Sequence, residues 1–151
     1  MKEIQLLCGK KAFVDDCDFE KLQEYRWKSR SRGTTTFYAE AKGSRLSMHR
    51  IIINAKKGEQ VDHINRNGLD NRRENLRLCS HSQNQINRPQ QKNNTSGYKG
   101  VYLFKKKWRA CIKIKGKLLY LGYFSDKKEA AETYNKKAKE LFGEFAYQNP
   151  V

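Results

Sequence analysis

The segment from Asp62 to Asn84 reads DHINRNGLDNRRENLRLCSHSQN: an adjacent Asp–His pair, a turn rich in Asn and Gly, a run of arginines and a distant Asn. An imidazole is largely neutral near pH 7 and takes a proton from water, so His63 suits the general base of a phosphodiester hydrolysis. The leaving oxygen in such a reaction develops negative charge, which a divalent cation held by hard oxygen ligands stabilises directly. Asp62 and Asn84 offer such oxygens. Arg66, Arg72, Arg73 and Arg77 are suited to clamp phosphates through bidentate guanidinium contacts. Arg77 follows the apolar Leu76, and strand alternation turns its side chain away from the core, which makes it the first expected phosphate contact.

Other polar residues of the segment have structural readings. Asn65, Asn67 and Gly68 are turn formers that tolerate left-handed backbone, and Asp70 and Asn71 are placed to cap a short helix. His49 reads as a packing or phosphate-contacting histidine, and His81, one helical turn from Asn84, as an alternative metal ligand; neither has an evident neighbour to orient its ring.

Taken together, DHxxxN, NLR and QN, spread over about Met48 to Asn87, resemble the HNH or ββα-metal endonucleases, in particular their phage and intron-associated branch. The resemblance implies that the Asp–His pair ends one strand, that NLR begins the next, and that the final Asn lies on the following helix. It implies that Asp62 and Asn84 bind one divalent ion, Mg²⁺ or Mn²⁺, that His63 activates water, and that Asn75 braces the loop after the histidine. Asn84 stands where other members carry a histidine, and a neutral amide is the weaker ligand.

Beyond this segment, residues 87–97 (NRPQQKNNTSG) contain Pro89 and no large apolar side chain, the composition of a linker. Before the segment, Ile4–Leu7 and Ala12–Val14 read as strands around Gly9. A helix is expected from Asp18 to Tyr25, capped by Asp16 or Asp18, followed by two strands flanking a turn at Ser31–Gly33. Met48–Asn54 reads as a helix or a buried strand. After the linker, Gly97–Leu103, Trp108–Lys115 and Leu118–Phe124 are β-rich runs separated by Lys- or Gly-containing turns, predicting a three-stranded antiparallel sheet. Asp126 with Glu129 signals a helix start, and Ala130, Tyr134, Ala138 and Leu141 recur at helical spacing before Gly143. The alternation of Trp108, Tyr98 and Phe124 with charged residues assigns them to a core. The fold class is α+β: a small β-rich N-terminal region leading into a ββα-metal motif, then a sheet packed on one helix. The expected domains are 1–87, with the ββα core at about 58–87, a linker at 88–95, and 96–151.

Residues 96–149 resemble the plant ethylene-response-factor, or APETALA-two, DNA-binding domain and its relatives appended to phage nucleases. The likeness rests on SGYKGV (96–101), WRA (108–110), YLGYF (120–124), Ala130-Ala131, Tyr134-Asn135, Ala138, 143–146 and Asn149. Members lay the sheet in the major groove of double-stranded DNA. The positions implied as contacts here are Lys99, Tyr102, Phe104, Lys113 and Tyr120, with Arg109, Lys115 and Lys117 nearby. Plant members use several arginines and tryptophans at these places, so base preference does not carry over.

Composition agrees with a polyanionic partner. Of 151 residues, 32 are Lys or Arg and 16 Asp or Glu, a net charge of +16, which makes nucleic acid the first candidate and binding salt-dependent. Nineteen basic and eleven acidic residues lie up to Lys92, thirteen and five beyond, so each part carries +8. No apolar run approaches the roughly 20 residues that span a bilayer, and no secretory h-region opens the chain. Four scattered cysteines without a CxxC pair argue for reduced thiols and against a zinc ribbon. The expected setting is the cytoplasm of a bacterial host, with a homing-type phage nuclease as the leading function. The competing readings are a non-catalytic DNA-binding regulator on the same scaffold and, less well matched because single-strand aromatic motifs are missing, an RNA binder.

Overall fold

Gly9 turns the chain at φ +81 between two four-residue strands, β1 (Lys2–Gln5) and β2 (Lys11–Val14), which pair antiparallel. The computed structural model describes residues 1–31, 36–90 and 93–151. Helix α1 (Asp16–Gln23) follows, and then the hairpin of β3 (Trp27–Ser31) and β4 (Phe37–Ala41). Most of the turn expected at Ser31–Gly33 lies outside the described residues. Met48–Asn54, open between helix and strand in the sequence, is helical: α2 (Met48–Ile53) ends at Asn54, whose left-handed φ of 53 suits a C-cap asparagine. Arg50 on α2 donates to the carbonyls of Glu59, Ala55 and Lys56, which holds the following loop.

The hairpin that carries the Asp–His pair comes next. β5 (Gln60–His63) and β6 (Leu76–Cys79) are antiparallel, with Asp62 opposite Arg77 and His63 opposite Leu76. A short 3-10 turn (Arg73–Asn75) leads into β6, and α3 (His81–Ile86) leaves it. Leu6, Val14, Leu22, Trp27, Met48 and Ile52 form the buried centre of one core, drawing on β2 and all the helices before β5. Trp27 buries its ring and donates its indole N–H to the Leu22 carbonyl at 2.8 Å, so its polar handle is satisfied.

Two expectations for this part need correction. α1 begins at Asp16, two residues early, with Asp15 as N-cap and no side-chain cap bond. The acids are drawn elsewhere: Asp15 Oδ2 accepts the Arg73 backbone N–H at 2.7 Å, and buried Asp18 takes the Arg73 guanidinium. Asp70 and Asn71 cap no helix, because Asp70 is paired with Arg72 and Asn65 while Asn71 meets His63.

The second set of elements is the three-stranded antiparallel sheet expected from alternation: β7 (Val101–Phe104), β8 (Lys107–Ile114) and β9 (Lys117–Phe124), in that order. α4 (Lys127–Phe142) packs on it, burying Ala130, Ala131, Tyr134 and Ala138. Asp126 caps α4 through its side chain, accepting from the N–H groups of Lys128 and Glu129. Trp108, Tyr98 and Phe124 do pack against the core of this sheet and helix. Gly100 sits at φ +75 with the Tyr134 ring and the Cys111 carbonyl pressed against it, leaving no room for a side chain. Asn135 and Asn149 exchange bonds with each other, and Asn149 also holds Lys99 by both backbone groups. These two asparagines therefore tie the C-terminal strap to α4 and to the turn that precedes β7. By internal contacts the chain forms two compact units, residues 1–84 and 85–151. Among the described residues no helix is long and apolar enough to cross a membrane.

Candidate functional site

β5 ends on His63, whose ring is only 5% exposed. Its Nε2–H donates to Asn71 Oδ1 at 3.2 Å. An amide oxygen only accepts, so this pairing corresponds to the tautomer that carries its proton on Nε2. Asn71 is itself fully buried, its N–H donating to the Phe13 carbonyl at 2.7 Å. Phe13 N–H in turn donates to Leu69, so β2 docks on the loop and holds the residue that orients the imidazole. The opposite flank of the ring is aromatic: Tyr38 lies 5.7 Å and His49 5.1 Å away by centroid. His49 thus packs in the site as a neighbour of both rings. Burial pushes the His63 pKa down, against the upward pull of Asn71, Asp62 and Asp70, which keeps the neutral base form populated.

Asn75 spans the loop between the two strands. Its Oδ1 accepts from Asn65 N–H at 2.9 Å, and its Nδ2 donates to the Asp70 carbonyl at 2.7 Å. Asn65 and Asn67 close the turn through side-chain acceptors for the N–H groups of Asn67 and Leu69.

Asp62 points to the other side of β5. There it meets Arg77, which donates Nη2–H at 2.7 Å and Nε–H at 3.0 Å to Oδ2. Alternation predicted a solvent-facing Arg77, yet its side chain is 11% exposed. The register explains this: Asp62 and Arg77 are direct cross-strand partners, and such an opposite-charge pair on one sheet face is attractive. Arg72 and Arg73 are committed in the same way, to Asp70 with Glu74 and to Asp18. To clamp a phosphate, any of the three must exchange a carboxylate for it. Arg66 is exposed in the turn, at a left-handed φ of 65.

Asn84, on α3, reaches β5 at Gln60 rather than at Asp62, donating Nδ2–H to Gln60 Oε1 at 3.1 Å. Gln60 Nε2–H also donates to His81 Nδ1 at 3.1 Å. Gln60 lies two residues before Asp62, hence on the same face of the strand. Sequence reading passed over Gln60 and gave Asn71 only a capping role; the i, i+2 spacing to Asp62 was a signal for the first, while the part the second plays at His63 has none short of the tertiary contact with β2.

Among the described residues no group of three or more His, Cys, Asp or Glu side chains is placed to hold a metal. A cation here would depend on one carboxylate, Asp62, beside amide oxygens. The donor chemistry fits a hard divalent ion, and the buried Asp62 carboxylate already sits against a positive charge.

On the second unit, the sheet face away from α4 carries Tyr102, Phe104, Arg109, Lys113 and Tyr120. The four apart from Arg109 are exposed. The Arg109 guanidinium lies over the Phe104 and Tyr120 rings, at 5.2 and 5.4 Å. Tyr123, not foreseen as a contact, shares the face: it is 53% exposed, with its ring 5.8 Å from Phe104. A register shift at Ala110/Cys111 puts both Tyr120 and Tyr123 opposite residues of one side, although they are three apart. Lys115 and Lys117 flank the Gly116 turn. Lys99 is directed elsewhere, its ammonium bonding the carbonyls of Ile86 and Arg88 at 2.6 Å each.

Comparison with known proteins places this hairpin and helix. The HNH endonuclease family matches residues 47–86, the stretch that contains α2, β5, β6 and α3. An uncharacterised HNH endonuclease, L560, of Acanthamoeba polyphaga mimivirus is 32% identical over 150 residues, covering 95% of this chain and 76% of that protein. The chain belongs to the HNH endonucleases, which are DNA-cleaving enzymes. Protein 3.8 of Escherichia phage T7 is 35% identical over 92 residues, 60% of this chain and 75% of the relative. No solved structure matches.

Proposed function

We propose that the chain is a divalent-metal-dependent endonuclease of double-stranded DNA, of the phage homing type. Residues 1–87 form the nuclease module, 88–95 link it onward, and 96–151 form an APETALA-two-type module that grips the duplex. The observation that carries the reading is His63: neutral through burial, fixed by Asn71 at one nitrogen, and next in sequence to Asp62 on a strand whose face also engages Asn84. His63 takes the proton of the attacking water at Nδ1. Asn75 holds the loop that follows, keeping the ring in place. Asp62 and Asn84 would hold the cation through oxygen. When bound, that ion supplies positive charge against the leaving oxygen. Arg77 moves from Asp62 to phosphate as substrate enters, with Arg66, Arg72 and Arg73 as further phosphate contacts. Attack on phosphorus breaks the bond to the 3′ oxygen, leaving 5′-phosphate and 3′-hydroxyl, and one site nicks one strand per event.

Incubating supercoiled plasmid with the full chain is expected to give open circles with Mg²⁺ or Mn²⁺ and none with excess EDTA. Cleavage that persists in EDTA rejects metal dependence. One observation favours a second reading, a DNA-binding scaffold without cleavage: Arg77 already neutralises Asp62. Intact plasmid in both metals, with DNA still bound, would select it.

The grip on DNA is assigned to the open sheet face, with Lys113, Lys115 and Lys117 reaching phosphate. Replacing Arg109 and Tyr120 together by alanine is expected to weaken duplex binding about tenfold and reduce the salt slope by about one. Unchanged affinity in a salt titration removes this face from the interface.

A further inference from the structure

Gln60 divides its carboxamide between two residues one turn apart on α3: Oε1 accepts from Asn84 and Nε2 donates to His81. A carboxamide offers oxygen on one side and NH₂ on the other, and the two orientations differ little in shape. A cation tolerates only the oxygen. With its NH₂ committed to Gln60, Asn84 turns its oxygen away from Gln60, and inverting the amide would set oxygen against oxygen. The same contact bears on helix placement. α3 has six residues, none of them buried, and its own stabilisation includes the reciprocal Ser80–Gln83 bonds at the N-terminus. A short helix with so little burial is held by its tertiary attachments, and Gln60 supplies two on the strand that bears Asp62.

Resting on the metal-dependent reading above, we propose that Gln60 is a positioning residue that selects the oxygen-outward orientation of the Asn84 carboxamide. It bonds the NH₂ of the ligand residue and does not itself hold the ion. An aspartate at position 84 would need no such selection, since both of its outer atoms are oxygens.

The test is equilibrium Mn²⁺ binding to the full chain without DNA, read by electron paramagnetic resonance of the unbound ion. Gln60→Met keeps the length of the side chain and removes both hydrogen bonds; it is expected to weaken Mn²⁺ binding by up to about twofold, because an amide without orientational bias still presents its oxygen half the time. Gln60→Glu, which keeps an acceptor for Asn84, is expected to bind at least as well as native. In the Asn84→Asp background, Gln60→Met is expected to change nothing. Equal weakening in both backgrounds would assign the effect to loosening of α3 and overturn the proposal, as would native affinity in the single variant. A native chain that takes up no Mn²⁺ sinks the metal-dependent reading itself; Mn²⁺ bound equally by native and Gln60→Met sinks only the role of Gln60.

Discussion

His63→Ala is expected to slow plasmid cleavage by about 10²–10⁴-fold, the contribution of a positioned general base, while duplex affinity stays at the native level. The expectation follows from how the ring is held. Asn71 takes Nε2–H, Asn71 is anchored by the Phe13 carbonyl, and Tyr38 and His49 pack at the ring. These contacts fix one tautomer and one orientation, which is the preparation that a base needs before water arrives. The arginine and lysine contacts proposed for the DNA backbone do not involve this ring, so binding and cleavage are expected to separate. A filter-binding titration and a nicking time course on the same preparations measure both. Equal nicking by native and variant would remove His63 from the mechanism, and a parallel loss of binding would show that the variant has damaged the fold.

Legibility in the sequence followed the range of the interactions. The sheet and helix of residues 97–142 were readable because alternation, two Lys/Gly turns and the Asp126 cap are local signals that agree with one another. The polar loop of 64–70 was readable for the same reason, since Asn65, Asn67 and Gly68 act on backbone groups close by. The arginines were not. Arg73 is paired with Asp18, 55 residues earlier, and Arg77 with Asp62, 15 residues earlier, so their engagement appears only when register and docking are known. An arginine-rich run looks like a phosphate clamp in sequence; in the fold, three of its members first neutralise buried or half-buried carboxylates. Tyr123 was hidden by a register shift that breaks the period of two, and Asn71 by its dependence on β2, more than fifty residues away. The first and last helical caps illustrate the contrast: Asp126 caps α4 through local N–H groups, whereas Asp15, the residue that precedes α1, spends its carboxylate on the Arg73 backbone N–H.

The second large effect is expected at Gly68, where two influences of opposite sign compete. Gly68 has no left-handed φ, so alanine fits the backbone, and stiffening the unfolded chain would by itself stabilise by about 0.4–1 kcal/mol. Against this, a Cβ at position 68 would collide with the Phe37 carbonyl oxygen and lie 2.6 Å from the Tyr38 ring. The oxygen belongs to the backbone of β4 and has no rotamer in which to withdraw. The loop cannot yield easily either, because Asn75 clamps it at Asn65 and Asp70, and the Leu69 carbonyl accepts from the Phe13 N–H.

 
Crowding of this kind destabilises by about 1–3 kcal/mol, which exceeds the entropic gain. For a unit of this size that amounts to a fall in melting temperature of about 5–15 °C. The strain also reaches the chemistry: Tyr38 is the ring beside His63, so a displaced β4 shifts the wall of the base's site, and cleavage should fall along with stability. Thermal unfolding followed by circular dichroism, with nicking assayed well below the transition, separates the two losses. A Gly68→Ala chain that melts at or above the native temperature would mean that β4 and the loop are not in the close contact on which the placement of His63 depends.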